Sequence, residues 1–178
     1  MAYFVLMDPQ ELFSGHGWRV TLEEAPLPDG RVKTSAHVHR ADTAHILAFP
    51  TEDTILLLRE FRPFYGCYIW MLPTGRIDKE ADIAAGALRE LQEETGFTAE
   101  EFAHYCTACH SETLQSANHI FIARHLTPNP LPQDADELIE VHELPLQKAL
   151  ENVLTSEHVH LASAFALLHY LHHQNAQV

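Results

Sequence analysis

Residues 72–97 read LPTGRIDKEADIAAGALRELQEETGF, and they carry the clearest structural signal in this 178-residue chain. Small and apolar side chains recur within them at spacings of four, three and four residues: Ala84, Leu88, Leu91 and Thr95. This spacing places the side chains on one face of a helix, and Gly96 follows as a natural C-terminal cap. The stretch therefore predicts a helix over 82–95 that packs on a core with this face.

Three glutamates occupy a different face of the same predicted helix. Glu90, Glu93 and Glu94 stand at positions i, i+3 and i+4, so their side chains span an arc of about 100°. The centre of this arc lies about 130° around the helix axis from the small and apolar stripe. We therefore expect the helix to pack on the core and to present three carboxylates to a cleft.

These three carboxylates repel one another, because like charges at such spacings cost a few tenths of a kcal/mol per pair. Arg89, four residues before Glu93, offsets only part of this repulsion. Hard divalent cations take oxygen ligands, and carboxylates with room for water and phosphate are the usual way to hold Mg²⁺. The pattern indicates a metal site, and the alternative is a solvated acidic helix face.

Two pairs of strands are predicted before this helix. The β-prone runs 18–22 and 31–38 flank the turn sequence Pro28-Asp29-Gly30, which predicts a hairpin. The apolar runs 44–49 and 54–59 predict a buried antiparallel pair.

The chain after the helix predicts further strands at 118–123 and 138–141, with a loop at 127–132 between them. A final helix is predicted at 159–172 from its apolar spacing. Strands interleaved with two well-separated helices predict a mixed sheet with helices packed on it.

The charge balance limits the possible partners. The chain has 11 basic and 25 acidic residues, a formal net charge of −14 with its 14 histidines neutral. Nucleic-acid binders neutralise phosphates with basic stripes, so we expect no nucleic-acid partner. An acidic enzyme that acts on an anion would need metal ions. No apolar run approaches the roughly 18 residues of a membrane span, so we expect no membrane association and a cytoplasmic protein.

The cysteines are expected to be free thiols. Cys67, Cys106 and Cys109 are odd in number, and we expect no export signal. Residues 106–110 read CTACH, which matches the CxxCH signature of haem attachment and half of a zinc site. Haem attachment requires export and zinc requires a second ligand pair, so we expect neither.

Gly75, followed after thirteen residues by Arg89-Glu90-Leu91-Gln92-Glu93-Glu94-Thr95-Gly96-Phe97, resembles the Nudix box. That pattern is Gly, five residues, Glu, seven residues, Arg-Glu, an aliphatic residue, any residue, Glu-Glu, any residue, Gly, and an aliphatic or aromatic residue. The second half matches at every fixed position. The first Glu is replaced by Ala81, with Glu80 and Asp82 on either side.

The resemblance implies an α+β fold of the Nudix type, an α/β/α sandwich with a mixed β-sheet and an N-terminal β-rich extension. The extension would span residues 1–42 and the Nudix domain residues 43–178. The resemblance also implies Mg²⁺ or Mn²⁺ as cofactor and a set of site residues. Its implied metal ligands are Glu90, Glu93, Glu94 and a backbone carbonyl near Thr74, and its implied catalytic residues are Arg89, Glu93, Glu94 and the loop residue Glu137 as general base. Behind Glu137, the candidates for the base are Glu112, Asp134 and Asp136.

Beyond the box, residues 58–63 (LREFRP) and 70–75 (WMLPTG) resemble the branch of the family that hydrolyses ADP-ribose. This resemblance implies that Arg59, Arg62 and Gly75 bind substrate, since arginine can hold a diphosphate through two hydrogen bonds. The alternative for the two arginines is an exposed pair at a sheet edge. The first forty residues resemble the extra β-structure with which that branch dimerises, which implies a homodimer.

Two hypotheses of different classes follow. The first is a Mg²⁺-dependent hydrolase that cleaves the pyrophosphate bond of ADP-ribose or a related nucleotide sugar into a nucleoside monophosphate and a sugar phosphate. Within this class GDP-mannose, dinucleoside polyphosphates and NADH remain possible substrates, because the box supplies chemistry and not the base pocket. The second is a Nudix-fold nucleotide sensor with weak or no turnover, which Ala81 favours.

Overall fold

The computed structural model describes residues 9–77, 82–135 and 137–175, and the strands among them form three sheets. In chain order the elements are β1 (Gln10–Gly15), β2 (Trp18–Pro26), β3 (Val32–Arg40), β4 (Asp42–Ala48), β5 (Thr54–Arg62), β6 (Cys67–Met71), β7 (Thr74–Ile77), α1 (Ile83–Thr95), β8 (Phe97–Cys109), β9 (Leu114–Gln115), β10 (Ala117–Pro128), β11 (Ile139–Pro145), α2 (Leu146–Leu154) and α3 (Leu161–Asn175).

The first sheet has the order β1-β2-β3-β9. The predicted hairpin is confirmed, because β2 and β3 pair antiparallel from Trp18 opposite Arg40 to Pro26 opposite Val32. Gly30 in the connecting turn has a φ of 85°, a left-handed conformation that glycine adopts without strain. Most side chains of β1 are exposed, so this sheet adds little to the hydrophobic core.

The other two sheets have the orders β7-β4-β10-β8 and β11-β5-β6. The predicted antiparallel pairing of 44–49 with 54–59 is wrong, because β4 and β5 lie in different sheets. β4 pairs antiparallel with β7 and parallel with β10, whereas β5 pairs with β6 and β11. Both strands are buried on both faces, so their apolar pattern does not specify which neighbour each one takes.

Helices cover both faces of the sheet that contains β4. Successive side chains of a strand point to opposite faces, and Ile46 packs with Ala87 and Leu91 of α1. Leu47 belongs instead to the core cluster that includes Leu167 of α3 and residues of α2. The predicted α/β/α layering, the mixed sheet and the α+β class are therefore confirmed.

Helix α1 begins and ends where the sequence predicts. The Asp82 carboxylate accepts a hydrogen bond from the Ala84 N–H at 3.0 Å, and Gly96 has a φ of 78° at the C-terminus. The buried residues of α1 are Gly86, Ala87, Leu91 and Glu94, so its buried face shares Leu91 with the predicted stripe, and Ala84 and Leu88 pack partly against the same core. Glu94 is thus buried although it lies outside the predicted stripe.

Six of the described elements have no counterpart in the sequence prediction: β1, β6, β7, β8, β9 and α2. Strand β8 alternates poorly between polar and apolar residues, and helix α2 is only nine residues long. The final predicted helix is confirmed as α3, and the strands at 118–123 and 138–141 correspond to β10 and β11. Among the helices of the described segments, none combines the length and apolar character that a membrane span requires.

Replacement of Asp82 by Ala tests the N-terminal cap of α1. The variant leaves the Ala84 N–H without its side-chain acceptor, and we expect the free energy of unfolding to fall by about 1 kcal/mol. Urea unfolding followed by circular dichroism measures this loss. Asp53→Ala, in an exposed turn, serves as the control, and an equal loss in both variants would contradict the capping role.

Candidate functional site

A cleft of about 530 Å³ opens beside α1, and it gathers charged groups from distant parts of the chain. Six of the nine metal-binding, catalytic and substrate-binding residues that the resemblance implies line this cleft: Arg62, Thr74, Gly75, Glu90, Glu94 and Glu137. Arg59, Arg89 and Glu93 do not. The cleft also takes in Asp134, one of the acids considered for the general base.

The carboxylates of Glu90, Glu94 and Glu137 form what we call the acidic wall of the cleft. Among them Glu94 is almost fully buried. Its Oε2 accepts a hydrogen bond from the Thr74 N–H at 2.7 Å. Burial raises the pKa of Glu94 well above its usual value, and the carboxylates of Glu137, Glu90 and Glu60 raise the pKa further against the effect of Thr74. A cation in the cleft would relieve both penalties, because it would stabilise the charged carboxylate.

Glu90 packs directly on the backbone of β7. A Cβ atom at Gly75 would overlap the carboxylate of Glu90, so only glycine leaves room for this approach. The adjacent Thr74 hydroxyl donates to the Ala44 carbonyl at 2.6 Å and anchors the start of β7 to β4. Gly75 thus contributes through the absence of a side chain.

Arg89 links the other two glutamates of the predicted set. Its guanidinium donates to Glu90 at 2.9 Å and to Glu93, and the side chains of Arg89 and Glu93 are largely buried. Glu93 therefore faces Arg89 and lies beside the cleft. The Arg89–Glu93 ion pair thus contacts the Oε1 atom of Glu90, whereas the Oε2 atom of Glu90 lies against Gly75.

Arg59 and Arg62 are three residues apart on β5, so they point to opposite faces of the strand. Arg62 lines the cleft, and its guanidinium contacts the buried Glu60 carboxylate at 2.8 Å. Arg59 pairs instead with Glu140 at 2.9 Å and lies over the Tyr68 ring, 4.1 Å from its centroid. The structure thus brings only Arg62 to the acidic wall.

The remaining predicted residues divide between the cleft, the surface and the undescribed part of the chain. Glu137 lies in the loop before β11 and lines the cleft, whereas Glu112 pairs with Lys33 at 3.0 Å on the N-terminal sheet. Glu80, Ala81 and Asp136 lie outside the described residues. Asp82 caps α1 and does not line the cleft.

The donor set of the cleft fits a hard divalent cation in its chemistry. Glu90, Glu94 and Glu137 provide carboxylate oxygens, and backbone groups of Thr74 and Gly75 lie beside them. Within the described segments, no three acidic, histidine or cysteine side chains converge on one point. Glu90 and Glu94 would hold Mg²⁺ or Mn²⁺, which commonly keep several water ligands.

The same cleft is also lined by residues that the sequence analysis missed. Arg40, Arg76, His45 and His160 all line the cleft. Burial lowers the pKa of His45 to about 3 and that of His160 to about 4, so both rings are neutral near pH 7. No short motif joins these residues, although Arg76 directly follows Gly75 of the box.

Known proteins resemble this chain over most of its length. Residues 39–165 match the NUDIX domain profile. The ADP-ribose pyrophosphatase of Bacillus subtilis is 30% identical over 164 residues, which cover 89% of this chain and 87% of that protein. The methanol dehydrogenase activator of Bacillus methanolicus is 26% identical over 147 residues, which cover 81% of this chain and 80% of that one.

A crystal structure of an ADP compounds hydrolase superimposes with a TM-score of 0.79. The two chains share 19% sequence identity, and the superposition covers 97% of this chain and 95% of the other. At this identity the likeness concerns the fold, and it extends over the N-terminal sheet.

Gly75→Ala tests the close approach of Glu90 to β7. The added methyl group forces the Glu90 carboxylate away from the cleft wall, and we expect activity to fall about 10²-fold with the fold intact. The measurement is kcat/KM together with the melting temperature. Gly66→Ala, in a surface turn where a Cβ meets no other atom, is the control, since any loss there reflects backbone strain alone.

The buried histidines should make the protein sensitive to acid. As the pH falls below 6.5, the unfolded chain binds protons that neutral His45 and His160 exclude in the folded state. The free energy of unfolding should therefore drop by about 1.4 kcal/mol per pH unit for each ring until the pH reaches the folded pKa. Urea unfolding between pH 6.5 and 5 checks this slope.

His160→Asn should remove one of these contributions and flatten the slope. The exposed His16→Asn should leave the slope as it is in the unaltered protein. Equal slopes for the unaltered protein and His160→Asn would contradict the assignment of the acid sensitivity to this ring.

Proposed function

The chain belongs to the Nudix family and is a Nudix pyrophosphohydrolase, and from this premise we propose that its substrate is ADP-ribose or a related nucleotide sugar. The reaction is hydrolysis of the diphosphate bond with Mg²⁺ or Mn²⁺, and it releases a nucleoside monophosphate and a sugar phosphate. The relative from Bacillus subtilis named for ADP-ribose, and a mouse ADP-sugar pyrophosphatase that is 33% identical over 101 residues, support this substrate class.

The observation that carries the proposal is that one cleft contains both carboxylates and an arginine. Glu90, Glu94 and Glu137 lie on its acidic side, and Arg62 lies in the same cleft, held by Glu60. A cation held by these carboxylates and the Arg62 guanidinium would both balance the negative charge of a diphosphate. This arrangement suits a substrate whose reacting group is an anion.

Each residue has one role in this proposal. Glu90 and Glu94 would hold the metal ions, with a backbone carbonyl near Thr74, and Glu93 keeps Arg89 against Glu90. Mg²⁺ or Mn²⁺ held there would supply a lower pKa for the attacking water and stabilisation of charge on the leaving phosphate. Glu137 accepts the proton of that water as general base. Arg62 binds the oxygens of the diphosphate and orients the phosphorus that is attacked.

We further propose that residues 1–42 form an extension through which two copies of the chain associate. Large apolar side chains are exposed on the described part of this segment, at Leu12, Phe13, Trp18 and Val32. A second copy would cover them, and a symmetric dimer is the commonest assembly for such a surface.

Release of AMP from ADP-ribose by the purified protein with Mg²⁺ tests the proposed reaction. We expect turnover, and Glu94→Gln should lower kcat/KM by about 10²-fold or more, because it removes the buried negative charge that holds the metal. Glu143→Gln is the matched control, since Glu143 is an exposed residue of β11 whose carboxylate accepts from Thr54 at 2.7 Å away from the cleft.

The sensor hypothesis predicts a different result in the same assay. Ala81 replaces the first Glu of the box, and this departure favours binding without efficient turnover. If GDP-mannose, dinucleoside polyphosphates, NADH and ADP-ribose are all left intact while ADP-ribose raises the melting temperature, the sensor replaces the hydrolase.

A further inference from the structure

Four uncharged polar residues line one part of the cleft, with Arg40 and Arg62 close to its two histidines. We call this part the neutral end and define it by Thr43, His45, Asn118 and His160. The proposed chemistry of the diphosphate uses none of these four residues.

His45 presents a hydrogen-bond acceptor that lacks a partner. The Asn118 side-chain oxygen lies 3.1 Å from His45 Nε2 and already accepts from the Thr43 hydroxyl, so Nε2 carries the proton. Nδ1 then holds a lone pair, and it is the buried side-chain polar atom without a hydrogen bond in the described residues. Buried polar atoms are normally paired, so a donor is missing at this position.

His160 presents a donor beside this acceptor. The Leu72 N–H donates to the Ser163 hydroxyl at 2.9 Å, and that hydroxyl lies 2.7 Å from His160 Nδ1. We assign the Ser163 proton to this contact, because the hydroxyl already accepts from Leu72; Nδ1 of His160 then accepts and Nε2 carries the ring proton. The two imidazole rings are 5.5 Å apart between centroids, and both line the cleft.

We propose that His45 and His160 bind hydroxyl groups of a sugar of the substrate, His45 as acceptor and His160 as donor. This inference rests on the proposed function, because it assigns the sugar of that substrate to the neutral end. A hydroxyl both donates and accepts, which matches the two rings. A fully ionised phosphate has no proton for His45 Nδ1, and a metal ion there would meet the positive charges of Arg40 and Arg62.

The sugar can lie on either side of the diphosphate. Each of the two reaction products contains one of these sugars, so the binding of the products and of their deoxy analogues distinguishes the two sources. With Mg²⁺ present, calorimetry would compare ribose 5-phosphate with 2-deoxyribose 5-phosphate, and AMP with 2′,3′-dideoxy-AMP. We expect the hydroxylated ligand of one pair to bind about tenfold tighter or more, because loss of the hydroxyl leaves the histidine groups unpaired. The pair that shows the difference names the sugar.

His45→Phe and His160→Phe should bring this affinity ratio close to one. His158→Phe is the matched control, because His158 stacks on Tyr65 at 4.3 Å and does not line the cleft. Melting temperatures show whether each variant folds. Nitrogen-15 NMR of the unaltered protein provides a second readout, since a bound hydroxyl shifts the His45 Nδ1 resonance whether or not the variants fold.

Three results would overturn the inference: equal affinities within both pairs, a ratio that survives both phenylalanine variants, or binding with no change at His45 Nδ1. A protein that cleaves ADP-ribose yet gives any of these results retains the proposed function without the sugar site. A protein that cleaves no nucleotide sugar fails the proposed function itself, whatever its affinities for the four ligands.

Discussion

The close packing of α1 against β7 is the contact on which the rest of the site depends. Glu90 lies over Gly75, where no Cβ intervenes, and Glu94 accepts from the Thr74 N–H at the same edge. Two glutamates one helical turn apart are thus held against two consecutive residues of a strand. This contact fixes the position of the acidic wall, because neither side chain can move away without losing a backbone contact.

The electrostatics of the cleft follow from that burial. A carboxylate removed from water is costly when it is charged, and Glu94 has three further carboxylates close enough to raise its pKa. The opposing charges are arranged around the wall, with Arg89 between Glu90 and Glu93 and Arg62 beside Glu60. The cleft therefore combines a strongly negative interior with fixed cations at its margins, which suits a metal-bound anion.

The neutral end of the same cleft contains two histidines, His45 and His160. Its histidines are neutral because burial and the nearby positive charges disfavour protonation. A Leu72 backbone N–H orients His160 through Ser163, and Asn118 orients His45. These contacts fix the orientation of both rings within the cleft.

The sequence by itself determined α1, its C-terminal cap, the β2–β3 hairpin and the α+β class, because these depend on residues close together in the chain. Spacing within one helix was enough to group Glu90, Glu93 and Glu94, and a local motif was enough to identify the family. Only the tertiary structure decided that β4 and β5 join different sheets, that Arg62 and not Arg59 reaches the cleft, and that Glu94 is buried. It alone brought His45 of β4 beside His160, which precedes α3 by one residue. Contacts of this kind depend on strand partners and helix rotation, which are set by packing over the whole core and leave no periodic pattern in the sequence.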